Sequence, residues 1–341
     1  MTAATTGTTA GPDSGTGRIA GLLRAFLAAR PDARGTVEDV RRAGSGRSRD
    51  NWLFDLVDDD GYREPLILRT DPEGGLIDTD RSVEFAVLRG LEGSGLPTPV
   101  ARWLDADGGE LGRPSLIMRR LSGVCDYKVL RDASRPLHER LGLARTFCEL
   151  LAGVHALDWR AGDLGATLTD PGPAAARAEL ARWSAILRAD QLEPQPELEY
   201  AIAVLGERAP PSTGTALVHA DFKPGNILLD GDRVTALLDW ELAHLGDPLE
   251  DLGWVTQPLR AGEHTIAGAW EADDLVAHYE RISGAGVDRA ALAWWVAFSA
   301  FKTAVMQVSG LRAFLDGRAD EPYRPTRRVL AEVLDAVLEE S

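Results

Sequence analysis

Residues 217–248 read LVHADFKPGNILLDGDRVTALLDWELAHLGDP. The runs ILL and VTALL are strand-like, and Asp230-Gly231 between them signals a hairpin turn. A hairpin accounts for those turn residues. It leaves unexplained His219, Asp221, Lys223, Asn226 and Asp239, polar groups placed beside segments that would otherwise bury easily. Two carboxylates and an amide oxygen are the hard donors that a magnesium ion favours. A carboxylate can also accept or orient the proton of an attacking hydroxyl. The stretch therefore points to phosphoryl chemistry.

Downstream of this hairpin, Asp247-Pro248-Leu249-Glu250 reads as a helix start, with Asp as N-cap, Pro at N1 and Glu at N3. On either side lie long, strongly periodic stretches at 137–157, 174–189, 291–310 and 327–340, which predict helices. Before residue 122 the pattern changes. WLFDLV (52–57) and YREPLILRT (62–70) flank the turn DDDG and predict a hairpin, and further strands follow at 99–104 and 114–121. A helix of about three turns starts near Asp80, and another occupies residues 18–30. Ser122-Gly123 is the best boundary. The expectation is an α+β bilobal chain: residues 1–17 an unstructured tail, 18–122 a small antiparallel-sheet N-lobe with one internal helix, and 123–341 a mainly helical C-lobe.

Composition narrows the partners. At 341 residues the chain exceeds the roughly 250–300 that one core supports, which again suggests two lobes. A net charge of -16 without a compensating Lys/Arg stripe argues against nucleic acid. No stretch matches the ~18 apolar residues of a membrane span, and the first 17 residues lack the basic and apolar regions of a signal peptide. Cys125 and Cys148 are too few for a disulfide framework, so the expected location is the cytoplasm. Oligomeric state is not legible here.

The order H-A-D-F-K-P-G-N, followed 13 residues after Asn226 by Asp239 at the end of a strand, resembles the catalytic and metal-binding segments of the protein-kinase-like fold. Protein kinases continue with Phe-Gly and a long activation segment, whereas here Trp240-Glu241 follow and Asp247 comes soon after. The run D-W-E-L-A-H-L-G-D-P-L-E-D-L looks like the aminoglycoside phosphotransferase family, in particular its branch related to kinase domains attached to acyl-CoA dehydrogenases. The likeness covers about 40–310. It implies an ATP- and Mg²⁺-dependent small-molecule O-phosphotransferase in which Asp221 is the base or hydroxyl-positioning group and Lys223 neutralises the transferring phosphoryl. It also implies Asn226 and Asp239 as metal ligands, and Asp251 as a brace for the catalytic loop. His219 and His244 read as structural.

Nucleotide binding in this fold uses a strand Lys oriented by a helix Glu. The chain has lysines only at 128, 223 and 302, so the matching strand position is Arg69. Period-2 alternation places Ile67 on the same face, where it could cover adenine. Glu84, in line with Leu88 and Leu91, turns inward as the partner of Arg69. GSGRSRDN (44–51) would cover the phosphates, with Ser48 near them, and LIMRRLSG (116–123) would be the hinge, using Met118 and the backbone of Arg119 and Leu121. The resemblance implies as acceptor a small molecule bearing a hydroxyl, whether an aminoglycoside, a hydroxyacyl-CoA or another hydroxylated metabolite, bound by C-lobe helices that include the Trp-containing segments 269–274 and 291–298. Two other readings stay open. Arg69 in place of Lys favours a weak or inactive nucleotide-binding pseudokinase, which retention of Asp221, Asn226 and Asp239 disfavours. The missing activation segment disfavours a protein kinase.

Overall fold

The computed structural model describes residues 13–43, 50–70, 80–161, 164–319 and 321–339. By contacts the chain divides into two compact units, one from Met1–Pro72 and Ala101–Arg120, the other from Glu73–Val100 and Leu121–Ser341.

The first unit is a five-stranded antiparallel sheet with one helix, α1 (Asp13–Ala28). Its strands are β1 (Thr36–Arg42), β2 (Asp50–Val57), β3 (Arg63–Thr70), β4 (Ala101–Asp105) and β5 (Ser115–Arg119), in the order β1-β2-β3-β5-β4. The expected hairpin pairs residue for residue from Asp50↔Thr70 to Val57↔Arg63. Along β3 burial alternates, with Leu66, Leu68 and Thr70 buried and Ile67 and Arg69 half-buried on the other face. Helix α1 covers the first face: Leu23, Phe26 and Leu27 pack with Val37, Phe54, Leu56, Leu66, Leu68, Trp103 and Ile117. The helix also begins earlier than expected. It starts at Asp13, so residues 13–17 of the anticipated tail are helical despite Gly15 and Gly17. Strand β1 was not anticipated, because its mostly exposed residues lack an alternating apolar signal.

The second unit begins with α2 (Arg81–Gly90), capped by Asp80, whose carboxylate accepts from Ser82 N–H at 2.7 Å. Then come α3 (Leu137–His155), α4 (Leu164–Thr167), α5 (Ala175–Asp190) and α6 (Pro196–Arg208). Two short antiparallel pairs follow, β6 (Ala216–Val218) with β9 (His244–Gly246), and β7 (Ile227–Asp230) with β8 (Arg233–Leu237). The chain continues through α7 (Leu249–Thr256), α8 (Ala261–His264), α9 (Ala272–Ser283), α10 (Arg289–Leu315) and α11 (Arg327–Glu339). Helix α2 packs against the turn Trp240–Leu242, which accounts for its grouping with this unit.

Helix α10 is the centre of the larger core, with Trp294, Trp295, Phe298, Phe301, Val305 and Val308 buried against α5, α6, α7 and α11. By length and composition it could cross a membrane, contrary to the expectation that no segment qualifies, but 78% of its apolar window is buried within the protein. A helix enclosed all round is apolar all round. Trp294 and Trp295 are therefore core residues rather than a ligand platform. Likewise Glu271 and Asp274 form the capping box of α9, so these two acidic side chains of the 269–274 segment serve the helix end.

Candidate active site

The chain leaves β6 at Val218 and enters a loop whose polar side chains are bonded to one another. Asp221, only 7% exposed, accepts at Oδ2 from Lys223 Nζ at 2.5 Å and from Asn226 Nδ2 at 3.1 Å. Asn226 Nδ2 also donates to the Asp221 carbonyl at 3.0 Å. Pro224–Asn226 form a 3-10 turn with Pro at its start, which folds Asn226 back on Asp221. Asp221 Oδ1 is buried and has no hydrogen-bond partner among the described residues. A buried carboxylate oxygen left bare is costly unless something else is meant to meet it.

Asp239 joins this group through its neighbour. Leu238 N–H donates to the Asn226 carbonyl at 2.8 Å, and the Leu238 carbonyl accepts from His219 Nε2 at 3.0 Å. Asp239 follows in left-handed backbone, φ 69°, a conformation that Asp tolerates better than most residues. Its charge helps push the Cys125 thiol up to about 11, burial being the larger cause. His219 is completely buried, and since Nε2 must be the donor to a carbonyl, Nδ1 accepts from Asp221 N–H at 3.3 Å. His219 is thus structural, as its sequence context suggests.

Behind the loop stands Asp251, 0% exposed on α7. It accepts from Ala220 N–H at Oδ1 and from His219 N–H at Oδ2, both at 2.8 Å, and from His155 Nε2 at 3.1 Å. Burial works against its charge, yet the bond and charge of His155, followed by His219, hold its carboxyl below the usual range. The His155 ring is oriented in turn by the Tyr279 hydroxyl, 2.8 Å from Nδ1. Asp247 caps α7 through its carboxylate, which accepts from Leu249 N–H at 2.9 Å, although the helix starts after Pro248 rather than at it.

A second buried charge group lies next to Asp251. Glu250 accepts from Lys302 at 3.1 Å and from His244 Nε2 at 3.1 Å, with Glu179 Oε1 3.6 Å from the same His nitrogen. These carboxylates raise the His244 pKa to about 9 although burial opposes them. Ligand-type atoms of Glu179, His244 and Glu250 lie within 4.8 Å of one another, but a protonated imidazole already supplies the cation there.

The profile of the APH phosphotransferase enzyme family matches residues 39–295, three quarters of the chain, and spans the loop described above. The chain belongs to this family. Among solved structures, a Ralstonia eutropha protein provisionally assigned as an aminoglycoside phosphotransferase is 21% identical with a TM-score of 0.71, covering 94% of this chain and 98% of that one. The aminoglycoside phosphotransferase APH(4)-Ia, solved with AMP-PNP and hygromycin B, is 20% identical with a TM-score of 0.58 and the same coverage. These likenesses show the fold, an α+β protein-kinase-like arrangement with an antiparallel N-terminal sheet and a mainly helical C-terminal part. Acyl-CoA dehydrogenase family member 10 of Mus musculus is 28% identical over 216 residues, 61% of this chain and 19% of that protein. Family member 11 of Gallus gallus is 30% identical over 226 residues, 64% of this chain and 28% of that protein. The chain spans less than a third of the length of these relatives.

In this phosphotransferase the residues expected to meet the nucleotide are divided between the units. Ile67 and Arg69 share one face of β3, and Ile67 pairs across to Met118, which is 3% exposed. Arg119 ends β5, and Arg120 N–H turns toward Pro65, donating to its carbonyl at 2.9 Å. Successive amides of an extended chain alternate in direction, so that of Arg119 points away from β3, where β4 no longer runs alongside. Leu121 opens the second unit in extended chain just before the bridge Val124↔Leu229. Gly123 (φ 135°) permits that bridge, because a Cβ there would fall 2.7 Å from the Leu229 carbonyl oxygen. Glu84 is buried, as its spacing implies, and an i,i+3 ion pair joins it to Arg81, a partner the sequence reading had overlooked. Ser48 lies outside the described residues. Sequence reasoning also missed Lys302, whose signal was a single cation in the middle of an apolar helix.

Proposed function

We propose that this chain is an ATP- and magnesium-dependent O-phosphotransferase that moves the γ-phosphate of ATP to a hydroxyl of a small molecule in the cytoplasm. The observation that carries this reading is Asp221: one carboxylate oxygen is held by Lys223 and Asn226, and the other is buried and bare. An acceptor hydroxyl donating to Oδ1 would be oriented for in-line attack. The new O–P bond forms as the bond from the γ-phosphorus to the bridging oxygen breaks, ADP leaves, and the hydroxyl proton passes to Asp221. Lys223 would neutralise charge on the moving phosphoryl group.

Asn226 and Asp239 would hold magnesium. The fit is chemical: with Asn226 Nδ2 bonded to Asp221, its remaining donor is an oxygen, and Asp239 adds a carboxylate one residue from the bond that ties Leu238 to Asn226. A bound magnesium ion would screen the phosphate charges of the nucleotide. Ile67 and Met118 would cover the base, the Arg119 and Leu121 backbone would bond it, and Arg69 would meet phosphate. Glu84 and Ser48 would assist that grip. Support for the nucleotide comes from APH(4)-Ia, which binds AMP-PNP in the same fold. The guanidinium at 69 in place of an ammonium keeps a slow or inactive nucleotide-binding form as the second reading.

For the acceptor we favour a molecule with an anionic group, such as a hydroxyacyl-CoA, over a polycation such as hygromycin B. Tyr127 lies against Gly225, with Lys128 and Arg131 over its ring at 5.2 and 5.7 Å. Burial, then the charges of Arg260 and Lys223, depress His264 to about 3 and leave its ring neutral. Glu263 offsets Arg260 at 3.3 Å and Asp221 offsets Lys223 at 2.5 Å, which leaves Lys128 and Arg131 beside Tyr127 as the cations that favour an anionic group. An ADP-release screen over aminoglycosides, sugars, amino alcohols and hydroxyacyl-CoA thioesters tests the reading. Asp221→Asn should lower turnover by about 10²–10⁴-fold, the usual worth of such a base, with Mg-ATP affinity little changed. Turnover like that of the wild type would remove Asp221 from its role.

A further inference from the structure

Lys302 sits at the middle of α10, 1% exposed, in the most apolar part of the chain. Burying an ammonium is unfavourable, and a hydrophobic residue of similar volume in such a place is often as stabilising as the ion pair it replaces. Stability alone therefore gives little reason for a lysine here. Its partners give a better one.

Nζ donates to Glu250 at 3.1 Å and, more closely, to the Ala220 carbonyl at 2.8 Å, and it stands 5.1 and 5.0 Å over the rings of Trp183 and Trp254. Ala220 is the residue before Asp221 and has φ 65°, in the left-handed region that alanine adopts only under constraint. The constraint is visible on both sides of its Cα. The peptide from His219 to Ala220 is held by Asp251, which accepts the Ala220 N–H at 2.8 Å. The peptide from Ala220 to Asp221 is held by Lys302 at its carbonyl and, among the described residues, at its N–H by the 3.3 Å bond to His219 Nδ1. Rotation of that second peptide about the bond from the Ala220 Cα to its carbonyl carbon would swing the Asp221 side chain away from its present direction.

We propose that Lys302 is a positioning residue for phosphoryl transfer: from 82 positions away its ammonium locks the Ala220–Asp221 peptide plane and thereby aims the Asp221 carboxylate. A buried anion on the N–H side and a buried cation on the C=O side clamp one strained residue. Glu250 accepts from the same ammonium at 3.1 Å, and His244 links Glu250 to Glu179 on α5. The effect on catalysis rests on the proposed role of Asp221. The effect on the peptide does not.

The test compares Lys302→Met, Glu250→Gln and the double variant, which retains charge balance if the single lysine change fails to fold. ADP-release kinetics with the best acceptor are read beside amide hydrogen exchange over residues 219–222, referenced to α3. Loss of the clamp predicts kcat lower by at least about tenfold in Lys302→Met and in the double variant, with KM for ATP within about threefold. The same two variants should exchange at 219–222 at least about tenfold faster. Glu250→Gln keeps the donor to Ala220, so it should hold kcat within about threefold even where it melts earlier. Wild-type kcat in the double variant overturns the proposal, and so does a Glu250→Gln loss as deep as that of Lys302→Met. If the wild type releases no ADP with any acceptor, the proposed function fails by itself, and exchange at 219–222 left unchanged by loss of Lys302 then overturns the clamp.

Discussion

The charge group behind the loop that carries Asp221 should make stability depend on pH between about 7 and 9. His244 donates from Nδ1 to the Leu242 carbonyl at 2.9 Å and from Nε2 to Glu250, with Glu179 nearby and Lys302 on the far side of Glu250. Its folded pKa is about 9 against a reference of 6.5. Because the folded value is the higher, the bound proton stabilises the fold fully below about pH 6.5 and is lost as pH rises through 9. A gap of that size, at about 1.4 kcal/mol per tenfold, is worth about 3 kcal/mol. This is an upper figure, since 18% of the side chain reaches solvent.

The assay is urea unfolding of the wild type and of His244→Gln from pH 6 to 10. Gln keeps an amide donor for the carboxylates but carries no proton that titrates. The difference in unfolding free energy between the two proteins should shrink by up to about 3 kcal/mol across that range, most steeply between pH 7 and 9. Cys125 and Cys148, pushed up to about 11 and about 12 by burial above all, also destabilise the fold at alkaline pH, from about pH 9 upward. They are present in both proteins and cancel in the comparison. Parallel curves would refute the reasoning, for they would mean that His244 is neutral in the fold at pH 7 and that Glu179 and Glu250 are stabilised by something else.

Two further changes probe the packing around the site. Arg81→Leu removes the cation paired with Glu84, both side chains being 1% exposed, and should lower stability by about 3–5 kcal/mol as seen when one partner of a buried pair is deleted, measured by urea midpoint. Gly253→Ala should destabilise by about 1–3 kcal/mol, although alanine is the better helix former, because an added Cβ meets the backbone of α10; a thermal melt no lower than that of the wild type would contradict this.

How much of this was legible in the sequence follows from how far apart the partners lie. Asp221, Lys223 and Asn226 are within five residues of one another, so their spacing announces their contact before any fold is known. The β2–β3 hairpin and the amphipathic face of α1 were equally local. Glu84 shows the limit of that kind of reading: its inward direction follows from the helical period, but the period alone does not separate a cation three residues away, Arg81, from one on a strand as its partner. The resemblance implied Asp251 as a brace for this loop, but Lys302 and His155 were out of reach, since they lie 82 and 96 residues from what they bind. Only the packing of helices brings them in. Helix α10 was expected over 291–310, but its apolar sequence does not say whether lipid or protein surrounds it.

That packing explains why the site needs Gly253. Asp251 and Glu250 ride on α7, whereas Lys302 rides on α10, and the clamp on Ala220 works only if the two helices approach closely enough for both charges to reach one residue. At position 253 an ideal Cβ would lie 2.6 Å from the Trp295 carbonyl carbon and oxygen and 2.8 Å from its Cβ. Any side chain at 253 therefore holds the helices apart at the turn that follows Asp251, and lengthens hydrogen bonds that are now 2.8 Å on either side of Ala220. The residue with no side chain sets the spacing, the two opposite charges use it, and the strained alanine between them transmits it to Asp221. On the proposed role of Asp221, its aim is a property of the α7–α10 crossing as much as of the loop that carries the motif.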